Sequence, residues 1–312
     1  MARILTITLS PVVDKSTTVP KFVPEQKLQC SAPVWEAGGG GVNVSRALKR
    51  LGTDSIAFFP SGGTSGAMLE YLLKNEKVGF DALRIKNSTR ENFIVVESIS
   101  NRQYRFGMPG TEIQPIEEKQ IIIAIEKLSS GMDYIVASGS IPPGIDSDFY
   151  ARIAHLSKKS GIRFIADTSG EALTEAVDTG VYLLKPNLRE LSLLSGKETL
   201  KKDLIDDAAR SLISKGRCEV IVVSMGEKGA YLVTSSLSEH VRAPKVEKLS
   251  TVGAGDCMVG GMVHALVKGK DLREMLRMGI ACGTAATMNP GTELFKRKDA
   301  DNLHNILMKD YK

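Results

Sequence analysis

The sequence predicts an α/β fold: a mostly parallel central sheet with helices on both faces, plus a small antiparallel β lid. Three observations predict it. From about residue 116 onward, short apolar runs alternate with amphipathic segments. That alternation builds βαβ units and a parallel sheet buried on both faces. Two stretches, 16–36 and 91–110, instead show β-like alternation without helical period, and the first carries three prolines. Such pieces do not easily extend a parallel sheet. Finally, 312 residues with 42% hydrophobic and 25% charged side chains bury a large core without disulfide staples. No repeat, low-complexity tract or linker divides the chain. The expectation is one domain over 1–312 with the lid as an excursion.

Taken in order, VNVSRALKRLG (42–52) and SGAMLEYLLKNE (65–76) are helical patterns. Residues 91–110 read as a hairpin turning at Ser100–Gln103. IIIAIEKL (121–128) reads as a helix and DYIVASGS (133–140) as a strand ending in small residues. Phe149, Ile153 and Leu156 stand at helical spacing before the stop at Gly161. IRFIAD (162–167) is a buried strand ending on a carboxylate. VYLLKPN (181–187) and EVIVVSMG (219–226) repeat the strand pattern, with a helical stretch over 203–215 between them. Ligands of such sheets bind beyond the carboxyl ends of the strands. Ser138, Asp167, Lys185, Asn187 and Ser224 therefore belong to one set.

Composition excludes several functions. Lys plus Arg number 41 against 36 Asp plus Glu, a net charge of +5. No concentrated basic stripe accompanies it, so no nucleic-acid partner is expected. Cys30, Cys218, Cys257 and Cys282 show no C-x-x-C spacing, which argues against zinc and dithiol chemistry. His155, His240, His264 and His304 match no metal-ligand spacing and read as structural. Trp35 reads as a lid or core anchor. The opening MARILTITLS lacks a secretory pattern, and no run of ~18 apolar residues is present. The expectation is a cytoplasmic protein with no membrane partner.

Two glycine-rich segments carry the chemistry. Ser250-Thr251-Val252-Gly253-Ala254-Gly255-Asp256 precedes a helix poor in large side chains. Free backbone N–H groups and a helix N-terminus make a cradle for phosphate or oxyanion charge. Asp256 stands where it could take a proton from an incoming hydroxyl. The alternative is a glycine-rich loop with Asp256 as a simple N-cap. Gly38-Gly39-Gly40-Gly41-Val42-Asn43 also precedes a helix, and four glycines in a row carry an entropic cost that needs a reason. No G-x-x-x-x-G-K-[ST] occurs, and the dinucleotide fingerprint fails because its third site is Met258.

With these motifs in order, the chain resembles the ribokinase-like, or pfkB, family of ATP-dependent sugar kinases. Gly38–Asn43 resembles the family's N-terminal signature, and Lys185-Pro186-Asn187-Leu188-Arg189-Glu190 its N-x-x-E segment. Ser224–Ala230 resembles the nucleotide-side turn, and Thr251–Asp256 the C-terminal signature. The resemblance extends to the family's 6-phosphofructokinase subgroup through Leu9–Asp14, Gln103–Gly110 and Gly40, where kinases of fructose 1-phosphate or tagatose 6-phosphate typically carry Lys.

The resemblance implies transfer of the ATP γ-phosphoryl group to a sugar hydroxyl, with fructose 6-phosphate as the leading acceptor. Asp256 would be the base, and the N–H groups of Gly253, Ala254 and Gly255 would hold the moving phosphoryl. Asp14, Gly39 and Asn43 would bind sugar hydroxyls, with Ser138 beside them. Lys27, Arg90 and Arg105, on or beside the lid strands, would meet the sugar phosphate, Arg90 foremost because a guanidinium binds phosphate bidentately. Lys185, Ser224 and Gly226 would line the ATP site, and residues near Gly283 and Asn289 the adenine pocket. Asn187 and Glu190 would position Mg²⁺ through its waters. A homodimer through the lid is also implied.

Each role has a plainer counterpart: a turn Asp, a first-turn carboxylate, ordinary exposed cations. The rival functions are a kinase of another ketohexose phosphate, a kinase of an unphosphorylated sugar or nucleoside, and a catalytically silent sugar-phosphate sensor.

Overall fold

The computed structural model describes residues 3–311. The first half runs β1 (Ile4–Ile7), β2 (Val12–Val19), β3 (Val34–Gly38), α1 (Gly40–Arg50), β4 (Ile56–Ser61), α2 (Gly63–Asn75), β5 (Gly79–Arg84), β6 (Arg90–Glu97), β7 (Arg102–Phe106) and α3 (Pro115–Ser129). Next come β8 (Tyr134–Ser138), α4 (Phe149–Lys159), β9 (Arg163–Asp167), α5 (Gly170–Thr179), β10 (Val181–Leu184), α6 (Leu188–Leu194), α7 (Ile205–Ser214) and β11 (Cys218–Ser224). The chain closes with β12 (Ala230–Val233), β13 (Ser238–Val241), α8 (Ala254–Val267), α9 (Leu272–Thr287) and α10 (Arg297–Asp310).

Nine strands form the main sheet in the order β13-β12-β11-β10-β9-β8-β1-β4-β5. Every pairing from β11 to β5 is parallel; β12 pairs antiparallel with both β11 and β13 at the other edge. Both faces are buried, as a parallel sheet requires. Along β11, Val220 and Val222 face α8, α9 and α10, whereas Ile221 and Val223 face the layer of α3 to α7. This period of two is the pleat expressed as two separate cores.

The second sheet has the order β3-β2-β6-β7. Both outer pairings are antiparallel, as expected, but the central β2–β6 pairing is parallel. The long connection through α1, β4, α2 and β5 lets β6 return in the direction of β2. The hairpin turns at residues 98–101, two residues earlier than the sequence suggests, with Glu97 opposite Arg102 and Asn101 at φ 58°. A third core of Val13, Ala37, Val42, Phe59, Leu69 and Leu73 seats this sheet against β4 and α2.

Candidate active site

The carboxyl ends of β8, β9 and β10 deliver Ser138, Asp167 and Lys185 to one place. Lys185 Nζ is 2.9 Å from Asp167 Oδ1, and Ser138 Oγ donates to Asp167 Oδ2 at 3.2 Å. Asp167 belongs to the strand-end set read from sequence but had no role there; here it is the counter-ion that holds Lys185.

The N-terminus of α8 closes on this group. Gly253 is its N-cap, in the left-handed conformation at φ 71°, and no side chain caps the helix. The Ala254 N–H makes only a long 3.4 Å contact to the Thr251 carbonyl, and the Gly255 and Asp256 N–H groups find no acceptor among the described residues, which leaves this end of the helix open to an anion. Asp256 is the third helical residue, not the cap, which removes the N-cap reading. Its Oδ2 accepts from Asn43 Nδ2 at 2.9 Å. A Cβ on Gly255 would lie 3.6 Å from Lys185 Nζ, so the cation stands directly beneath the cradle.

Electrostatics follow from this crowding. Burial and the neighbouring Asp167 push the Asp256 carboxyl up to about 7, against the Asn43, Lys185 and Ser138 contacts that favour its ionised form. Burial disfavours charge on Lys185, but Asp167, Asp256 and Glu190 outweigh it and its pKa rises. A half-buried carboxyl poised near neutrality beside a fixed ammonium suits a general base.

The four glycines have steric reasons. Gly39 has φ 109°, and a Cβ there would lie 2.6 Å from Thr8 Cγ2. A Cβ on Gly40 would lie 2.4 Å from Ser138 Oγ and 2.5 Å from the Ser138 carbonyl carbon. The start of α1 thus packs directly on the end of β8. In this chain that contact favours glycine at position 40 on packing grounds, beside its reading as a subgroup marker.

Asp14, on β2, accepts from Asn92 Nδ2 at 3.0 Å. Burial raises its pKa, opposed by the Asn92 bond and by Arg90 and Arg46. Arg90 lies opposite Val12 and donates to the Met108 carbonyl at 3.0 Å and the Ser10 carbonyl at 3.3 Å. Its Nε is buried without a partner among the described residues, as is Ser10 Oγ. Lys27 and Arg105 are exposed, Lys27 in the loop after β2 and Arg105 on β7. Among the described residues nothing ties either to Asp14 or Arg90.

Asn187 and Glu190 form a reciprocal capping box on α6. Asn187 Oδ1 accepts from the Glu190 N–H at 2.9 Å, and Glu190 Oε2 from the Asn187 N–H at 2.8 Å. Glu190 keeps its other oxygen. No cluster of three or more His, Cys, Asp or Glu fit for a metal occurs among the described residues. Such a donor set suits a hydrated Mg²⁺ rather than a protein cage.

Ser224 bridges to Asn187 at the end of β11, and Gly226, at φ 58°, starts the turn beyond it. Gly283 lets α9 approach α8, since a Cβ there would lie 3.0 Å from the Ala254 carbonyl. Asn289 is buried and donates to the Ala285 carbonyl at 3.1 Å, closing the end of α9. Sequence reasoning missed Asn92, Arg46 and Thr292. Asn92 sits opposite Asp14 in the β2–β6 register, a relation that no local pattern encodes.

The family description "pfkB family carbohydrate kinase" matches residues 4–298. The chain is 42% identical to the ATP-dependent 6-phosphofructokinase isozyme 2 of Escherichia coli (strain K12), over 98% of this chain and 99% of that protein. It is 32% identical to a 1-phosphofructokinase of Rhodobacter capsulatus, over 94% and 92% of the two chains. The crystal structure of Escherichia coli phosphofructokinase-2 in complex with substrates and products superposes with a TM-score of 0.94 at 41% identity, covering 98% of this chain and all of that one. Motif order, site geometry and full-length similarity agree, and the chain belongs to the pfkB family of carbohydrate kinases.

Proposed function

We propose that this protein transfers the γ-phosphoryl group of ATP to fructose 6-phosphate, giving fructose 1,6-bisphosphate. The observation that carries the reading is Asp256: a half-buried carboxyl raised to about 7, in the first turn of an uncapped helix and steered by Asn43. The acceptor hydroxyl would lie against Asp256, which takes its proton as the new P–O bond forms. The N–H groups of Gly253, Ala254 and Gly255 face the charge that builds on the transferring phosphoryl. Phosphoryl transfer depends mostly on such positioning and neutralisation.

Asp14, Gly39 and Asn43 would hold the sugar hydroxyls, with Ser138 at the edge. Arg90 is the better-supported phosphate ligand, because its buried Nε lacks an acceptor among the described residues. Lys27 and Arg105 would join it only from the rim. Lys185, Ser224 and Gly226 would line the ATP site, with Gly283 and Asn289 toward the base. Glu190 and Asn187 would hold Mg²⁺ through water; when bound, the ion neutralises phosphate charge.

The preference for fructose 6-phosphate is supported by the higher identity to the relative named 6-phosphofructokinase than to that named 1-phosphofructokinase. The whole chain would form one domain, with 16–36 and 91–110 contributing a lid, and would work in the cytoplasm. No helix among the described residues is long and apolar enough to cross a membrane. Exposed Val34, Trp35, Ile99, Phe106 and Met108 on the small sheet and its flanks support a homodimer through that sheet. One structure of the Escherichia coli relative is titled a tetrameric inhibited form, which concerns that protein.

The test is ADP release with ATP and Mg²⁺ across fructose 6-phosphate, fructose 1-phosphate, tagatose 6-phosphate, fructose, ribose and adenosine. The proposal expects kcat/KM for fructose 6-phosphate to exceed the rest by at least about tenfold, ~1.4 kcal/mol of transition-state preference. A different winning phosphosugar overturns the acceptor but not the chemistry.

A further inference from the structure

We propose that Arg46 is a positioning residue for the reaction: it locks the side-chain amide of Asn43 in the one orientation that donates to Asp256. The inference rests on the kinase reading, in which Asp256 meets the acceptor hydroxyl. Arg46 is 1% exposed, inside α1 and one turn beyond Asn43. Its Nη1 donates to the Ala37 carbonyl at 2.6 Å, to Asn43 Oδ1 at 3.2 Å and to the Thr292 carbonyl at 3.5 Å. Its Nε and Nη2 bind Glu76, Nη2 at 2.7 Å, and Glu36 Oε1 is 3.9 Å away. Glu36 in turn accepts from the Thr292 N–H and hydroxyl.

This arrangement has a consequence for Asp256. A carboxamide is nearly symmetric in shape, and either end can turn toward a neighbour. Here the cation occupies one side and the Asp256 carboxylate the other. Rotating the Asn43 amide by half a turn would set its NH₂ against the guanidinium and its carbonyl against the carboxylate. Both contacts would be repulsive. With Arg46 in place only one orientation survives, and Asp256 Oδ2 receives a fixed donor at 2.9 Å.

The groups that face Asp256 from other elements are Ser138 on β8, Asp167 on β9 and Lys185 beyond β10. Those that face Arg46 are Glu36, Asp14 and Glu76, Cys257 on α8, and Arg50 on its own helix. A buried guanidinium carries a large desolvation cost, and directed donors shared among β3, Asn43 of its own helix, the loop before α10 and the end of α2 suit a device for fixing geometry.

The test uses Arg46→Lys and Arg46→Gln in the full-length protein. Arg46→Lys keeps the charge but lacks the planar fork that serves Glu76 and Asn43 together, and it guards against loss of folding in Arg46→Gln. The first readout is the Asp256 carboxyl resonance by ¹³C NMR against pH, assigned with Asp256→Asn. A loosened donor moves its titration to higher pH in both variants. The second is kcat/KM against pH: the loss at about pH 6 should exceed that at about pH 8.5 by roughly tenfold, the effect of one hydrogen bond to a charged group. KM for ATP should change far less than kcat. In an Asn43→Ala background, Arg46→Lys should cause no further shift. Folded variants whose Asp256 titration matches the parent overturn the proposal. A parent protein that turns over no sugar refutes the kinase reading instead, and the NMR titration still decides the role of Arg46.

Discussion

Lys185 Nζ and Asp167 Oδ1 stand 2.9 Å apart at the carboxyl ends of two neighbouring parallel strands. Both side chains are largely buried, and the ammonium lies below the start of α8. The sheet thus presents a fixed positive charge where phosphoryl charge would develop. Lys185→Met should leave Asp167 as a buried unpaired charge and cost about 3–5 kcal/mol of stability near neutral pH. Urea unfolding checks this. It should also move the Asp256 titration to higher pH, since Lys185 favours the ionised form.

Asp256 should destabilise the fold once ionised. Its pKa of about 7 in the folded protein lies above its ordinary 3.8. Between those values the unfolded chain loses its proton first, so stability falls as pH rises through that window. Asp256→Asn should therefore stabilise the protein at about pH 8, by up to about 4 kcal/mol, and hardly at all below about pH 4. Melting curves at the two pH values report the difference. An effect independent of pH would mean that Asp256 titrates normally.

Arg90→Ala should raise KM for the phosphosugar by roughly 10- to 100-fold, the range expected for lost charge-assisted hydrogen bonds. KM for ATP should stay within about twofold. Steady-state kinetics with each substrate varied in turn separates the two. An equal rise in both would show that Arg90 only braces the Met108 and Ser10 carbonyls.

Gly40→Ala should cost about 1–3 kcal/mol, because its Cβ would enter the space of Ser138. Activity should fall in similar proportion for fructose 6-phosphate and its rivals. A selective gain for fructose 1-phosphate or tagatose 6-phosphate would show Gly40 to be a specificity position.

The parallel sheet was legible because β8, β9, β10 and β11 are continuous apolar runs ending in small or polar residues. The β12–β13 hairpin and β5 were not: they lie at or next to the sheet edges, where burial is incomplete and the pattern depends on the neighbour joined. Helix α9 escaped because Gly279 and Gly283, needed for close packing on α8, weaken its helical signature. In the site, Gly253–Asp256 and Gly38–Asn43 are contiguous and could be read directly. Arg46 and Asn92 act only through partners brought together by the fold, such as Thr292, which lies 246 positions from Arg46. The Asn187–Glu190 spacing was visible, and its plainer reading was a first-turn carboxylate; the reciprocal capping of α6 emerges only from the structure.

The central claim is that Asp256 performs chemistry rather than shaping a binding pocket. It is tested most directly by comparing Asp256→Asn with the parent protein for kcat on fructose 6-phosphate and for fructose 6-phosphate affinity by calorimetry. The account predicts a fall in kcat of roughly 10²–10⁴-fold, the scale of a lost general base, with affinity held within about fivefold. Turnover retained within about tenfold of the parent would contradict it.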